Sequence, residues 1–396
     1  MFTKSYIPHK GYWSSPFSRW QGSLQNIHSI ERGAATAKKF LALRGYTPDI
    51  FDGVVLGMTV GQKKIFHATP WFCAQMGNDR ITGPLISQAC ATSAACIFTA
   101  ASRIETDMYK CILATSSDRC SNSPHSIWPN PNGPGGQVVA EDWMMDNFTC
   151  PYGGVEMIQT TEWVAQDFGG ITKEQSDEMA LRRYEQYLKA LENNREFQKG
   201  YMIPIEHAVS KKQTVTLDAD EGIRPHTKEG MAPLKPTIEG GCVTYAGQTH
   251  PADGNAGLIV TTRENAKTLS KDKNITIQLL SYGFARAKKA RMAAAVTPAA
   301  EMALKNAGIE VKDLKAVKTH NPFTVNDIVM GSLMKIPPEI FNNYGSSLIW
   351  GHPQGPTGAR ATIELIEELI KIGGGYGLFA GCAAGDTAAA LVIRVS

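Results

Sequence analysis

Pro84-Leu85-Ile86-Ser87-Gln88-Ala89-Cys90-Ala91-Thr92-Ser93-Ala94-Ala95 is an extended apolar run that ends in a cysteine. Small residues follow and lead into a run able to form a helix, so the pattern predicts a cysteine at a helix N-terminus. Unpaired backbone N–H groups and the macrodipole favour an anion there. A thiolate in that setting has a lowered pKa and can act as a nucleophile. A cysteine among alanines also fits a small buried apolar residue. The choice between the two rests on what the rest of the chain brings.

Working outward, strands alternate with helices. Helical spacing of Ile30, Ala34, Ala37, Phe40 and Leu41 predicts a helix over 29–44, stopped by Gly45. A buried strand is expected over 52–57, a helix over 68–76, a buried alanine-rich helix over 93–106 and a strand over 110–116. The rhythm implies an α/β layer structure with a largely parallel sheet. It breaks after Cys120, where Pro124, Pro129, Pro131 and Pro134 join Gly133, Gly135 and Gly136 in a stretch expected to hold no regular element. Helices are expected over 157–167 and 172–193, the second with Thr172 as N-cap and Gln175 at capping-box spacing. Residues 211–235 are polar and turn-rich. Residues 119–248 together read as an insertion serving a site rather than the core. The α/β rhythm resumes after 256: strands over 258–262, 275–281, 316–318, 376–382 and 387–395, with helices over 297–307, 326–334 and 358–372.

The chain has 396 residues, too long for one ordinary core, and 43% are hydrophobic and 19% charged, an ordinary globular composition. A net charge of +3, from 40 basic and 37 acidic residues, argues against nucleic acid as the main partner. No apolar run reaches bilayer-spanning length, the N-terminus lacks the core of a signal peptide, and no membrane role is expected. Eight cysteines without C-x-x-C spacing imply reduced thiols in a cytoplasmic protein and no metal site. The aromatic start, with Tyr6, Tyr12, Trp13, Phe17 and Trp20, is expected to be a surface segment anchored on the core, or else a wall of a substrate tunnel or an oligomer contact.

Three distant stretches could complete the chemistry of Cys90. In Gly351-His352-Pro353-Gln354-Gly355-Pro356 a histidine sits on a tight loop that opens a helix, and a neutral imidazole near a thiol can take its proton. Tyr376-Gly377-Leu378-Phe379-Ala380-Gly381-Cys382-Ala383-Ala384-Gly385-Asp386 ends an apolar strand at a second cysteine in a small-residue turn, where backbone N–H groups can hold an oxyanion. His320-Asn321-Pro322-Phe323 puts polar groups just past a strand end.

The ordered set formed by Cys90, the Gly-His-Pro loop and the Cys382 turn resembles the thiolase family. So do Asp220-Glu221-Gly222-Ile223-Arg224-Pro225, Pro233-Leu234-Lys235-Pro236, Gly241-Cys242-Val243-Thr244-Tyr245-Ala246-Gly247 and Asp253-Gly254. The resemblance spans nearly the whole chain. It implies a thiolase fold: two similar βαβαβαββ halves, 1–118 with 249–270 and 271–396, forming a five-layered α-β-α-β-α core, with 119–248 as an inserted loop domain. It implies that Cys90 is acylated, His352 activates it, and Cys382 moves the proton at the α-carbon. Met157 would line the acyl pocket. His320, with Asn321 beside it, would sit at one oxyanion pocket, and the backbone of Cys90, Ala384 and Gly385 at the other. Arg224 is the candidate for the CoA phosphates, beside Lys211, Lys212 and Lys228. CoA enters as co-substrate with acyl-CoA, no permanently bound cofactor is implied, and the assembly implied is a homodimer or homotetramer, with a small zinc-binding partner subunit as a further option.

Three departures mark this chain. Many thiolases carry Asn-Glu-Ala-Phe where His320-Asn321-Pro322-Phe323 stands, and histidine there resembles the sterol-carrier and archaeal-type branches. Ala383-Ala384-Gly385-Asp386 replaces the common Ile-Gly-Gly-Gly. Gln248-Thr249-His250-Pro251-Ala252 replaces Asn-Ala-Ser-Gly near the pantetheine and is one residue short. The N-terminal aromatics and the Trp-bearing stretch 128–143 suggest a bulky or aromatic acyl group. Two other functions fit parts of the pattern: a decarboxylating condensing enzyme using Cys90, His320 and His352, and a non-catalytic acyl-CoA-binding subunit. Cys382 argues against the first, and retention of all three groups argues against the second.

Overall fold

In the computed structural model, which describes residues 1–396 except Pro134, Lys211 and Lys212, the main sheet repeats one pattern twice. In the first half, strand Gly53–Gly57 runs parallel to Leu85–Ile86 on one side and to Cys111–Arg119 on the other, which pairs antiparallel with Ala252–Thr261. In the second half, Leu314–His320 runs parallel to Gly375–Ala383, which pairs antiparallel with Thr387–Val395, and this in turn with Ile277–Arg286. The short strand Tyr6–Ile7 joins the halves, lying between Ala252–Thr261 and Ile277–Arg286. Gly53–Gly57 and Thr387–Val395 read as near-continuous apolar runs because both faces are covered by helices.

Two helices form the middle layer. Thr92–Glu105 packs against strands Cys111–Arg119 and Thr387–Val395. Pro356–Lys371 packs against Gly375–Ala383, Ala252–Thr261 and Thr92–Glu105, so both touch strands of both halves. The second is buried almost all round, as its run of Ala359, Ala361, Ile363, Leu365, Ile366 and Leu369 requires. Helices Ser29–Arg44 and Ala68–Met76 cover the outside of the first half, and Val296–Ala307 and Thr324–Met334 cover the second. This is the α-β-α-β-α stack of the thiolase fold expected from the sequence.

Most element boundaries lie within two or three residues of expectation. The helices Ser29–Arg44, Ala68–Met76 and Met157–Asp167 and the strand Thr387–Val395 match. Helix Lys173–Ala190 has its Thr172–Gln175 capping box. Two expectations are corrected. The Pro/Gly stretch after Cys120 does form a regular hairpin, His125–Pro129 with Val138–Asp142, because its glycines and prolines gather in the turn and leave Ile127, Trp128, Val138 and Val139 to alternate across strands. Strand Gln213–Leu217 and a short helix, Lys228–Met231, also occur within the turn-rich 211–235, of which Lys211 and Lys212, with Pro134 before them, lie outside the described residues.

The N-terminal aromatics are neither surface nor tunnel wall. Tyr12, Trp13 and Phe17 are fully buried, since Tyr12–Ser14 pairs with Ala252–Thr261, and only Trp20 is exposed. Among the described residues, none between 120 and 251 joins the main sheet through a named strand. This segment is pinned over the second half by buried ion pairs. Arg360 binds Asp220 at 2.6 Å and stacks on Phe17 and Trp350, and Arg183 binds Asp327 at 2.7 Å. Breaking such a buried pair costs about 3–5 kcal/mol, because one charge is left uncompensated.

Candidate active site

Cys90 stands two residues before the middle-layer helix Thr92–Glu105. The preceding Ala89 has φ +44°, a left-handed conformation that costs a residue with a Cβ about 1–2 kcal/mol and is typical of functional turns. The hydroxyl of Thr92 holds this turn, accepting from the Gln88 amide and donating to the Ala89 carbonyl. The turn leaves Cys90 half-buried while its neighbours Ala91 to Ala95 are buried.

His352 comes from the loop that opens the other middle-layer helix, Pro356–Lys371. Gly351 permits the loop by taking φ +94°. The His352 amide donates to the His250 carbonyl, and Asp118 accepts the Gly355 N–H at 2.9 Å. His352 Nε2 lies 3.1 Å from Cys90 Sγ, and its Nδ1 lies 2.6 Å from Thr357 Oγ1. With Nδ1 donating to Thr357, the Nε2 lone pair faces the thiol and is set to take its proton.

Cys382 is the eighth residue of Gly375–Ala383 and is fully buried. Asn326 Nδ2 donates to its sulfur at 3.3 Å. Two residues on, the backbone of Ala384, with that of Cys90 itself, favours the charged form of the Cys90 sulfur. Gly385 and Asp386 follow with φ of +81° and +60°, and buried Asp386 accepts the Ala290 and Arg291 amides, which fixes the turn in the absence of the glycines common in the family.

His320 ends its strand with its ring stacked on His352, centroids 4.0 Å apart. Its Nδ1 is 2.9 Å from Ser347 Oγ, and its buried Nε2 has no partner. Ser347 also accepts from the Asn321 N–H and lies 3.1 Å from Asn321 Oδ1. Its single proton therefore sets the tautomer. Given to Asn321, it leaves His320 as Nδ1–H with a bare Nε2. Given to His320 Nδ1, it leaves an Nε2–H that can donate to a substrate oxygen.

Burial governs the electrostatics. It pushes the Cys90 thiol up to about 11, against two backbone contributions, and raises the Cys382 thiol well above its ordinary value, with the Cys90 charge adding to it. The lowered thiol pKa expected from the helix N-terminus is thus reversed. Desolvation holds His352 down at about 3 and His320 well below an ordinary imidazole. Burial therefore favours a thiol and a neutral imidazole over an ion pair in the resting site.

The remaining expected residues divide. Met157 opens helix Met157–Asp167 and packs on the apolar cluster that contains Cys382. Asn321 is engaged at both ends of its amide, donating to Asp327 at 2.5 Å and accepting from Leu348 N–H and Ser347, so it holds the loop. Arg224 is exposed over the Tyr245 ring, and Lys228 is exposed too. Asn326, Thr357, Ser347 and Asp118 were not singled out in the sequence. Asn326 lies one helical turn beyond Phe323, where a polar residue on a buried helix face was the available signal.

The comparisons decide the family. Residues 13–264 match the model for the thiolase N-terminal domain and residues 273–395 that for the thiolase C-terminal domain. The chain belongs to the thiolase family. It is 25% identical over 386 residues to a probable acetyl-CoA acetyltransferase of Mycobacterium leprae, covering 96% of this chain and 97% of that one. It is 27% identical over 384 residues to the beta-ketothiolase BktB of Cupriavidus necator, covering 94% and 95%. Among solved structures, the acetyl-CoA acetyltransferase of Bacillus anthracis superposes with a TM-score of 0.91 at 25% identity, over 100% of this chain and 99% of that one. Human mitochondrial 3-ketoacyl-CoA thiolase in complex with CoA shares the fold, with a TM-score of 0.89 at 23% identity over 99% and 98%. Among the described residues, no helix is long and apolar enough to cross a membrane.

Proposed function

We propose that this thiolase-family acyltransferase catalyses reversible Claisen cleavage and condensation: a 3-oxoacyl-CoA and CoA on one side, acyl-CoA and acetyl-CoA or another acyl-CoA on the other. The observation that carries the reading is the 3.1 Å contact of Cys90 Sγ with His352 Nε2, made beside a second thiol with its own amide partner. In cleavage His352 takes the Cys90 proton and the thiolate attacks the 3-oxo carbon. The C2–C3 bond breaks, and Cys382 protonates the released carbanion at C2. The thiol of CoA then removes the acyl group from Cys90.

Two oxyanions arise, and two donor sets suit them. The Cys90 and Ala384 N–H groups, whose backbones favour negative charge at the sulfur, would serve the oxyanion on the attached acyl carbon. His320, as the Nε2–H tautomer, and His352 would serve the thioester oxygen of the carbanion. Losing one such donor typically costs roughly 3–4 kcal/mol of barrier. Asn321 positions His320 through Ser347, and Met157 borders the acyl pocket. Arg224 is our candidate for the CoA phosphates, its guanidinium being exposed and free of an ion pair among the described residues.

We further propose the division of the chain anticipated from its sequence: 1–118 with 249–270, 271–396, and 119–248 as the loop domain over the site. A homodimer and a cytoplasmic location complete the reading; eight free cysteines suit a reducing compartment. Burial of Tyr12, Trp13 and Phe17 removes the N-terminal support for a bulky acyl group, so acetoacetyl-CoA is the first substrate to try. Thiolysis is followed by loss of the 3-oxoacyl-CoA enolate absorbance, with CoA required. Activity that is independent of CoA, or that survives in Cys90→Ala, would refute the assignment.

A further inference from the structure

Cys90, His320 and His352 each aim one ligating atom into the same small space, and the three atoms lie within 4.8 Å of one another. We propose that this constellation is also a binding site for a borderline-soft divalent cation of the zinc type, which blocks the site reversibly as an inhibitor, not as a resident cofactor.

The donor set is one thiolate and two imidazoles, which is the preference of zinc and cobalt. His320 supplies the decisive observation. Its ring is fully buried, its Nε2 has no partner, and the Ser347–Asn321 arrangement leaves a bare lone pair on that atom in one of its two tautomers. His352 is matched, with Nδ1 held by the Thr357 hydroxyl and Nε2 already 3.1 Å from Cys90 Sγ. A hydrogen bond to the far nitrogen of each histidine is the outer support that metal-binding imidazoles need. Tetrahedral zinc with bonds of about 2.3 Å to sulfur and 2.0 Å to nitrogen needs ligand separations of about 3.3–3.5 Å. The Cys90–His352 pair, at 3.1 Å, lies a few tenths of an ångström inside that spacing, and the most distant pair has to close by about 1–1.5 Å, which requires the stacked rings of His320 and His352 to swing apart. A fourth position stays open to water, and the Gln354 carboxamide oxygen, 3.4 Å from Cys90 Sγ, borders the sulfur.

The step balances simply. The Cys90 S–H bond breaks, its proton leaves to solvent, and a sulfur–metal bond forms, with both imidazoles neutral throughout. One proton is released per ion, so affinity strengthens about tenfold per pH unit between pH 6 and 8. An ion so placed occupies the nucleophile and both imidazoles at once. Acylation of Cys90 and metal binding are therefore mutually exclusive.

The binding part stands on geometry alone, while the inhibitory part rests on the thiolase reading above. The test adds Co2+ to the full chain in buffer free of thiols and chelators. The expected result is one Co2+ per chain with a thiolate-to-cobalt charge-transfer band. The band should be absent in Cys90→Ala, should need at least tenfold more Co2+ in His320→Asn, and should be prevented by prior acetylation with acetyl-CoA. Zn2+ should displace Co2+ and halt thiolysis, and EDTA should restore it. A folded wild-type chain with no such band, or a band that persists unchanged in Cys90→Ala, overturns the proposal. Should Cys90→Ala fail to fold, an unchanged titration in His320→Asn overturns it equally. A cobalt band in a chain that shows no thiolysis even without metal leaves the site standing and removes the functional reading instead.

Discussion

The eighth residue of strand Cys111–Arg119 is Asp118, and the eighth residue of its counterpart Gly375–Ala383 is Cys382. Both strands have nine residues, and both run parallel to a neighbour on one side and antiparallel on the other. Asp118 lies on the strand face that carries Ile112 and Ala114 to the middle layer, whereas Cys382 shares its face with Leu378 and Ala380 and packs in the outer cluster of the second half. One half uses this position to hold the site together. Asp118 accepts from Thr59 N–H and Oγ1, Val60 N–H and Gly355 N–H, tying a loop of its own half to the His352 loop of the other. The other half uses it for a reactive thiol with a single amide neighbour. The loops before the middle-layer helices form a second such pair. One carries the nucleophile Cys90, the other its base His352. A repeated fold thus brings two strand ends and two helix-opening loops to one region, and chemistry arises because the halves fill them differently.

His352→Ala removes the proton acceptor from the pair and should lower thiolysis by roughly 10²–10⁴-fold, with the circular dichroism unchanged. Loss of less than tenfold would mean that Cys90 finds its base elsewhere. The contrast between a thiol–imidazole pair and a preformed ion pair can be read from pH. With Cys90 raised to about 11 and His352 held near 3, the sulfur is a thiol from pH 7 to 10, and its thiolate fraction grows about tenfold per unit. Iodoacetamide labelling of Cys90, followed by peptide mass, should climb across that range. A flat profile would indicate a thiolate–imidazolium pair.

Asn326→Ala tests the second thiol. Removing a hydrogen bond to a charged group costs about 1.5–3 kcal/mol, so exchange of the acetyl-CoA α-protons with D2O should slow by about ten- to a hundredfold. Acylation of Cys90 should persist at its normal rate; equal losses in both steps would make Asn326 merely structural.

Asp118→Asn gives the smallest effect. It should reduce stability by about 2 kcal/mol through donors left unpaired. Burial raises the Asp118 pKa from 3.8 to about 6. The folded state therefore holds its proton more tightly than the unfolded one. The stability this contributes is present below about pH 4 and is lost as pH rises through about 6. The lead of the wild type over the variant in urea midpoint should narrow from pH 4 to 7. A lead that widens would reverse the sign.

The sheet and the middle helices were readable because buried strands and a helix rich in alanine, leucine and isoleucine leave a plain apolar pattern. The three reactive residues were readable because each ends or follows such a run at a small-residue turn. Asn326, Ser347 and Thr357 were not. They act through side chains brought together from separate turns, and an asparagine or serine on a buried face looks like any cap or turn residue. The pKa of Cys90 was misread for a related reason: the helix terminus is visible in the sequence, but the desolvation that outweighs it arises only once the chain is folded around the thiol. Tyr12, Trp13 and Phe17 were misplaced because their pairing partner, Ala252–Thr261, lies some 240 residues away.

The central claim is that the two thiols divide the labour, with Cys90 carrying acyl groups and Cys382 moving protons. Intact-protein mass spectrometry of Cys382→Ser incubated with acetyl-CoA tests it most directly. The account predicts an acetyl adduct on Cys90 that free CoA removes, formed at close to the wild-type rate, in a protein that neither cleaves nor forms the C–C bond. An adduct located elsewhere, no adduct in the folded variant, or full thiolase activity without Cys382 would contradict it.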